Sequence, residues 1–215
     1  HERQVEFFPE VNKFVGIESS IRTDKTVSKK NTVVIMAGGE GKRMMPLTLS
    51  TPKPLLYIKD KPILHKIIDS LSAYGFSNII ISVRYKADDI KNYFQDGKKF
   101  NVNINYIEEK DPLGTAGSLS LLNTKHEGPL IVMNGDLMTS INYEQLMNFH
   151  QKSNKSITLC TVNYDILIPF GTIKLNDLEL MEVEEKPIKS YLINAGIYVI
   201  EKSVISKMER GKAID

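Results

Sequence analysis

The sequence predicts an α/β fold, a mostly parallel but mixed sheet flanked by helices. Three observations carry that expectation. From residue 32 onward, short β-branched runs that stop at glycine- or proline-bearing loops recur along the chain. Segments with apolar residues at helical spacing fall between them, and this alternation of strand with helix implies parallel pairing. The composition is globular: 41% hydrophobic and 25% charged over 215 residues, with 28 basic side chains against 26 acidic ones. Disordered and collagen-like architectures are excluded on those proportions. At about 100 to 200 residues per domain, the length suits one large domain, or one domain plus a fragment.

Composition narrows the function classes as well. A nearly neutral balance without a basic aromatic stripe argues against a nucleic-acid partner. No stretch approaches the roughly 18 consecutive apolar residues of a membrane span, and residues 1–10 lack the apolar core of a secretion signal. A cytoplasmic chain with no membrane partner is expected. Cys160 stands alone, so it forms no internal disulfide; it falls in an alternating run at 157–162 that reads as a strand, where it is a small core residue.

The elements follow in order. Residues 1–31 hold one brief apolar stretch, Phe14-Val15-Gly16-Ile17, followed by a polar, lysine-rich segment that reads as a leader or linker. The domain proper is expected from Thr32. Residues 32–36 form a buried strand that stops at Ala37-Gly38-Gly39-Glu40-Gly41. Pro62 suits a first helical turn, and Ile63, Leu64, Ile67, Ile68, Leu71 and Tyr74 then trace one apolar face until Gly75. Residues 78–83 read as a strand, 87–94 as a helix, 103–107 as a strand, 115–122 as a helix and 129–133 as another strand. Beyond a helix at 142–151 the rhythm changes, with strands at 157–162, 172–175, 180–184 and 193–200. In an open α/β sheet, ligands bind beyond the carboxyl ends of the strands, so the loops at 38–44, 108–115 and 134–136 should lie near one another.

The first of those loops offers unobstructed backbone amides beside Lys42 and Arg43, which suits phosphate. Two common glycine loops fail by spacing. A Walker A loop needs Ser or Thr after Gly-Lys, and Arg43 stands there; the dinucleotide fingerprint needs a glycine where Met44 stands. The prolines that follow, Pro46, Pro52 and Pro54, should hold the chain extended and present Lys53 rigidly.

Taken together, Gly-Gly-x-Gly-x-Arg-Met-x-Pro-Leu-Thr from Gly38 and Pro52-Lys53-Pro54-Leu55 resemble the signature of the sugar-1-phosphate nucleotidylyltransferases. The resemblance continues in order through Pro112-Leu113-Gly114-Thr115-Ala116-Gly117, Asn134-Gly135-Asp136, Glu184-Glu185-Lys186-Pro187 and Asn194-Ala195-Gly196-Ile197-Tyr198. Within the family it is most similar to the mannose-1-phosphate guanylyltransferases and related hexose-1-phosphate enzymes. It implies a Rossmann-like sheet of the nucleotide-diphospho-sugar transferase type over residues 32–215. The implied activity is transfer of a nucleoside monophosphate from a nucleoside triphosphate to a hexose 1-phosphate, releasing pyrophosphate.

The resemblance also implies roles. Ala37, Gly38, Gly39, Gly41 and Lys42 would hold the triphosphate. Arg43 would act on the α-phosphate and departing pyrophosphate, Lys53 would stabilise both reacting phosphates, and Lys186 would grip the sugar phosphate. Asp136, a hard carboxylate ending a strand beside a glycine, would bind magnesium rather than cap a helix. Relatives complete that metal site with a second, downstream aspartate, for which no candidate follows Tyr198, so either the C-terminal part of the catalytic domain is missing from the sequence or the second carboxylate is absent. Gly114 and Thr115 would let the base lie against their backbone. A carboxylate at Glu109 or Glu108 would accept the adjacent N1 and N2 donors of guanine but repel the carbonyls of uracil, which favours GTP over UTP, dTTP or CTP. Gly171, Glu185, Asn194 and Ala195 would line the sugar.

No nucleophilic triad occurs among the motifs, and His65 and His150 read as packing or surface residues. Asn12 to Ile17 faintly resemble the last strand of a cystathionine-β-synthase-type regulatory module. The competing reading is a noncatalytic subunit of the same fold that senses nucleotide sugars. A homo-oligomeric state stays open.

Overall fold

A computed structural model describes residues 5–6, 29–123, 126 and 128–214. In chain order the strands are β1 (Val5–Glu6), β2 (Lys29–Met36), β3 (Tyr57–Ile58), β4 (Lys61–Pro62), β5 (Phe76–Val83), β6 (Asn103–Glu108), β7 (Leu130–Asn134), β8 (Ile157–Leu167), β9 (Thr172–Asn176), β10 (Glu179–Glu184) and β11 (Ile188–Ile200). The helices are α1 (Leu47–Ser50), α2 (Ile63–Ala73), α3 (Ala87–Phe94), α4 (Tyr143–Ser153) and α5 (Lys202–Ile205).

Seven strands form one sheet in the order β1, β8, β11, β7, β2, β5, β6. β2 pairs in parallel with both β5 and β7, and β5 with β6, whereas β11 joins β7 and β8 antiparallel. This is the mixed, mostly parallel sheet the alternation predicts. Two small antiparallel pairs, β3 with β4 and β9 with β10, lie outside it.

The period-two alternation of β2 explains the two layers. Val33 and Ile35 face a core shared with α2, α3 and α4, where Leu64, Ile68, Phe94, Leu146 and Cys160 are buried. Val34 and Met36 face the other side, against Leu119, Leu122, Ile200 and Ile205. α2 buries Ile63, Leu64, Ile67, Ile68 and Leu71 on one face, each stabilising the fold by about 1.5–3 kcal/mol. Burial also pushes the Cys160 thiol well up, as an inert core residue requires. His150 is buried as expected of a packing residue, exchanging hydrogen bonds with Thr158 Oγ1 at 2.8 Å and Glu201 Oε1 at 3.2 Å.

Four sequence expectations need correction. β2 begins at Lys29, three residues before the apolar run, because its start is fixed by the backbone: the Lys29 amide donates to Gly75 O at 2.8 Å. Val5 and Glu6, inside the expected leader, pair with Val162 and Thr161 of β8; the stretch 12–17 lies outside the described residues. The expected helix at 115–122 is a 3₁₀ turn over Gly117–Leu121. Its amides are diverted: Ala116 N donates to Ile214 O, and Ile214 N to Leu113 O, both at 2.9 Å. Finally, the proline segment after the glycine loop is not extended. Pro46 leads into α1 and Pro54 sits in a 3₁₀ turn over Lys53–Leu55. Prolines are tolerated in first turns, and Pro52 forces only Thr51 before it into the β region, at φ −124°.

Among the described residues, no helix is long and apolar enough to cross a membrane.

Candidate active site

Ladder bonds carried one residue past the strand ends bring the expected loops together. Ala37 N donates to Ser82 O and Gly135 N to Met36 O, both at 2.8 Å, while Glu109 N donates to Val83 O at 3.0 Å. The loops after β2, β6 and β7 are thereby fixed side by side at the carboxyl edge of the parallel strands.

Between the first and third of them opens a cleft of about 270 Å³ lined by Ala37, Gly39, Gly41, Lys42, Arg43, Lys53 and Asp136, with Met36, Met44, Pro54, Asn134 and Gly135 completing the wall. Gly41 adopts the left-handed conformation at φ 63° and caps a 3₁₀ turn over Lys42–Met44. A side chain there would press on Thr48 Cγ2 at 2.9 Å, so glycine is required twice over. The buried Thr48 hydroxyl donates to Gly41 O at 3.0 Å and fastens the turn. Gly135 is crowded in its turn: a Cβ would meet Met36 O at 3.0 Å.

Lys53 and Asp136 form an ion pair in this cleft, each about one-third exposed. Arg43 is exposed at the same opening and has no carboxylate partner among the described residues. Lys42 pairs with Glu40 Oε2 at 3.0 Å, and Arg84 Nη2 donates to Glu40 Oε1 at 3.2 Å. Lys42 and then Arg84 hold the Glu40 carboxyl below the usual carboxylate range.

Gly38 lies behind the loop rather than in the cleft lining, and a Cβ on it would approach Glu109 Oε1 at 3.0 Å. Glu109 is only 9% exposed. Its Oε1 accepts from Ser82 Oγ at 2.7 Å and its Oε2 from Leu113 N at 3.4 Å. Glu108 instead pairs with Lys91 of α3. Gly114, at φ 72°, and Thr115 follow in the loop after β6.

The residues expected on the sugar side fall in two places. Asn194 and Ala195 lie within β11, at a bulge in its pairing with β8 that abuts the Asp136 loop: a Cβ on Gly196 would meet Asn134 Nδ2 at 2.6 Å. Gly171, Glu185 and Lys186 gather instead at the base of the β9–β10 hairpin, where a Cβ on Gly171 would meet Glu185 Oε2 at 3.0 Å and Lys186 Nζ lies 4.0 Å from Glu185 Oε1. They are exposed and do not line the cleft. Met36, Met44, Pro54, Asn134 and Gly135 were not anticipated as lining, although the Asn-Gly-Asp motif already marked two of them.

Asp136 is the lone carboxylate of the cleft lining, and no group of three His, Cys, Asp or Glu able to hold a metal occurs among the described residues. One hard carboxylate with room for phosphate oxygens and water fits magnesium, which is commonly held by one or two carboxylates together with substrate phosphates.

The chain is similar in sequence and in fold to known proteins. The chain belongs to the nucleotidyl transferase family, whose model matches residues 32–213. It is 32% identical over 187 residues to the mannose-1-phosphate guanylyltransferase of Mycobacterium tuberculosis, covering 84% of this chain and 52% of that protein. It is 33% identical over 190 residues to the mannose-1-phosphate guanylyltransferase catalytic subunit beta of Drosophila melanogaster, covering 85% and 52%. The chain thus spans about half the length of the curated relatives it matches. Among solved structures it superposes on HddC from Yersinia pseudotuberculosis with a TM-score of 0.67 at 29% identity, covering 85% of this chain and 81% of that one. The same protein in complex with GMP-PN gives 0.66 at 28% identity, with the same coverage.

Proposed function

We propose that this chain transfers a nucleoside monophosphate, GMP in preference, from a nucleoside triphosphate to a hexose 1-phosphate. The observation that carries the reading is the convergence of Arg43, Lys53 and Asp136 on one cleft beside the glycine loop. Family membership supports it, as do relatives named guanylyltransferases and a structural neighbour complexed with GMP-PN.

In the proposed reaction an oxygen of the sugar phosphate attacks the α-phosphorus. The new P–O bond forms as the bond to the bridging oxygen of the β-phosphate breaks, and pyrophosphate leaves with that electron pair. Two anions must meet, so placing them and neutralising their charge are what the protein supplies. Amides of residues 37–41 bind the triphosphate, with Lys42 adding charge. Arg43, unengaged by any carboxylate of the described residues, grips the α-phosphate and the departing pyrophosphate. Lys53 needs only to turn from Asp136 to reach the reacting phosphates. Asp136 would hold magnesium, which supplies further neutralisation of phosphate charge when bound. Lys186 takes the phosphate of the sugar substrate, Glu185 its hydroxyls, and Asn194 with the backbone of Gly171 and Ala195 its ring; Gly171, Glu185 and Lys186 stand outside the cleft lining.

Gly114 and Thr115 accept the base against their backbone, and Glu109 selects guanine. In that role Glu109 would exchange its bonds from Ser82 Oγ and Leu113 N for those of the base. The catalytic domain expected over 32–215 takes in β2 from Lys29 and the β1 pairing of Val5–Glu6, and the rest of 1–31 is read as leader.

One observation favours the second reading, a nucleotide-sugar sensor without turnover: among the described residues Asp136 is the only carboxylate lining the cleft, and it is already paired to Lys53. Pyrophosphate release on mixing GTP, UTP, dTTP or CTP with a panel of hexose 1-phosphates decides between them. Release with GTP supports transfer. Nucleotide binding without release from any pair supports the sensor.

A further inference from the structure

Three consecutive residues beyond the end of β5 each hold a different point of the segment that carries the glycine loop. Arg84 Nη2 donates to Glu40 Oε1 at 3.2 Å. Tyr85 Oη donates to Thr48 O at 3.1 Å, and its amide reaches Gly38 O at 3.5 Å. Lys86 Nζ donates to Ser50 O at 2.6 Å. None of the three lines the cleft.

The segment they hold has little regular structure of its own: a 3₁₀ turn of three residues and α1 of four. Helical pieces that short do not support themselves in water. A glycine loop exposes its amides at the cost of flexibility, and such amides bind phosphate well only when the loop is held from behind. β5 is a central strand whose Ile79, Ile81 and Val83 are buried, so it is a rigid point of attachment.

We propose that Arg84, Tyr85 and Lys86 are positioning residues that hold the glycine loop in its nucleotide-binding conformation, with the Arg84–Glu40 pair as the decisive contact. The inference rests on reading the cleft as the nucleotide site. The two cations on Glu40 are not equivalent. Lys42 is 75% exposed and lines the cleft, whereas Arg84 is 24% exposed and approaches from behind. Lys42 can therefore exchange Glu40 for a phosphate, while Arg84 keeps the carboxylate turned away from the triphosphate. Without Arg84, Glu40 follows Lys42 toward the cleft, loosening the loop and bringing a negative charge toward the phosphates.

The test is titration of GTP with magnesium, and of mannose 1-phosphate separately, into the wild-type chain and four variants, with melting temperatures alongside. Arg84→Met should weaken GTP binding about tenfold and leave sugar-phosphate binding and melting temperature nearly unchanged. Glu40→Gln should weaken it less, and the double variant should bind better than the additive expectation, because the stray carboxylate is gone. Arg84→Lys should restore binding to within about threefold, because the single contact to Glu40 needs a cation of similar reach rather than a bidentate fork. GTP binding unchanged in Arg84→Met, or equal loss for both ligands with a falling melting temperature, overturns the proposal. If the wild-type chain itself fails to bind GTP, the nucleotide-site reading falls and this inference with it; if wild type and all variants bind alike, only this inference falls.

Discussion

Lys53 and Asp136, 83 positions apart in the chain, form an ion pair inside the cleft beyond β2 and β7. The pair joins the two sequence features that bear opposite charge in the proposed reaction. A solvent-accessible pair of this kind stabilises the fold little, so its consequence is positional. It sets a cation and a carboxylate beside the glycine loop, with Arg43 across the same opening.

Asp136→Asn tests the carboxylate directly. Removing the negative charge should leave GTP binding without magnesium equal or tighter, since repulsion of the phosphates falls. The magnesium dependence of binding should disappear, and turnover should drop at least about a hundredfold. Titration of GTP with and without magnesium reads this out; magnesium dependence identical to wild type would take Asp136 out of the metal site.

Arg43→Ala should lower turnover about 10²- to 10³-fold, the usual effect of deleting one group aimed at transition-state charge. The KM for the sugar phosphate should stay within about threefold. Steady-state pyrophosphate release checks both numbers. Near-normal turnover would remove Arg43 from the chemistry.

Glu109→Gln should redirect base preference. A glutamine amide offers one acceptor and one donor, matching the single N–H and neighbouring carbonyl of uracil, whereas guanine's two donors then meet a donor. The preference for GTP over UTP should fall by at least about tenfold, measured as a ratio of kcat/KM values. An unchanged ratio would confine Glu109 to bracing Ser82 and the Leu113 amide.

A pH effect is expected away from the cleft. His126 lines a separate cavity of about 480 Å³ with Asn78, Asn105 and Asn123, and both its ring nitrogens are buried without hydrogen-bond partners among the described residues. Burial holds its imidazole below the ordinary value, with the Lys202 ammonium adding to the effect and the Gly128 backbone opposing it. The unfolded chain therefore binds the proton more readily. Stability is full above the unfolded pKa of 6.5 and declines as pH falls from there toward the lower folded value. The melting temperature of wild type should fall more steeply than that of His126→Gln between about pH 7.5 and 5.5, and parallel curves would show that His126 does not titrate on unfolding.

The sequence made the central sheet legible because buried parallel strands and amphipathic helices write their periods plainly, as Val33 to Met36 and Ile63 to Leu71 do. It understated β8 and β11. Their far halves form a two-stranded ribbon beyond the sheet, pairing Tyr164 with Tyr191 and Leu167 with Ile188. Both faces of that ribbon are exposed, so no burial pattern marks it. The 3₁₀ turn at Gly117 was hidden because its cause, the backbone of residues 212–214, lies almost a hundred positions away.

The cleft was legible for a different reason. A run of closely spaced glycines, a lysine between prolines and a carboxylate beside a glycine are each unusual locally. Arg84 left no such trace, because an arginine at a strand end acquires meaning only from Glu40 across the fold. The scatter of Lys186 and Glu185 away from the cleft was equally invisible, since the Glu-Glu-Lys-Pro motif gives chemistry but not reach.

The most direct measurement is a structure of this chain crystallised with GTP and magnesium. The account predicts the triphosphate against the amides of residues 38–41, the α-phosphate within hydrogen-bond reach of Arg43 or Lys53, and the metal on Asp136. A nucleotide bound elsewhere, or phosphates that leave the Lys53–Asp136 pair and Arg43 untouched, would contradict it.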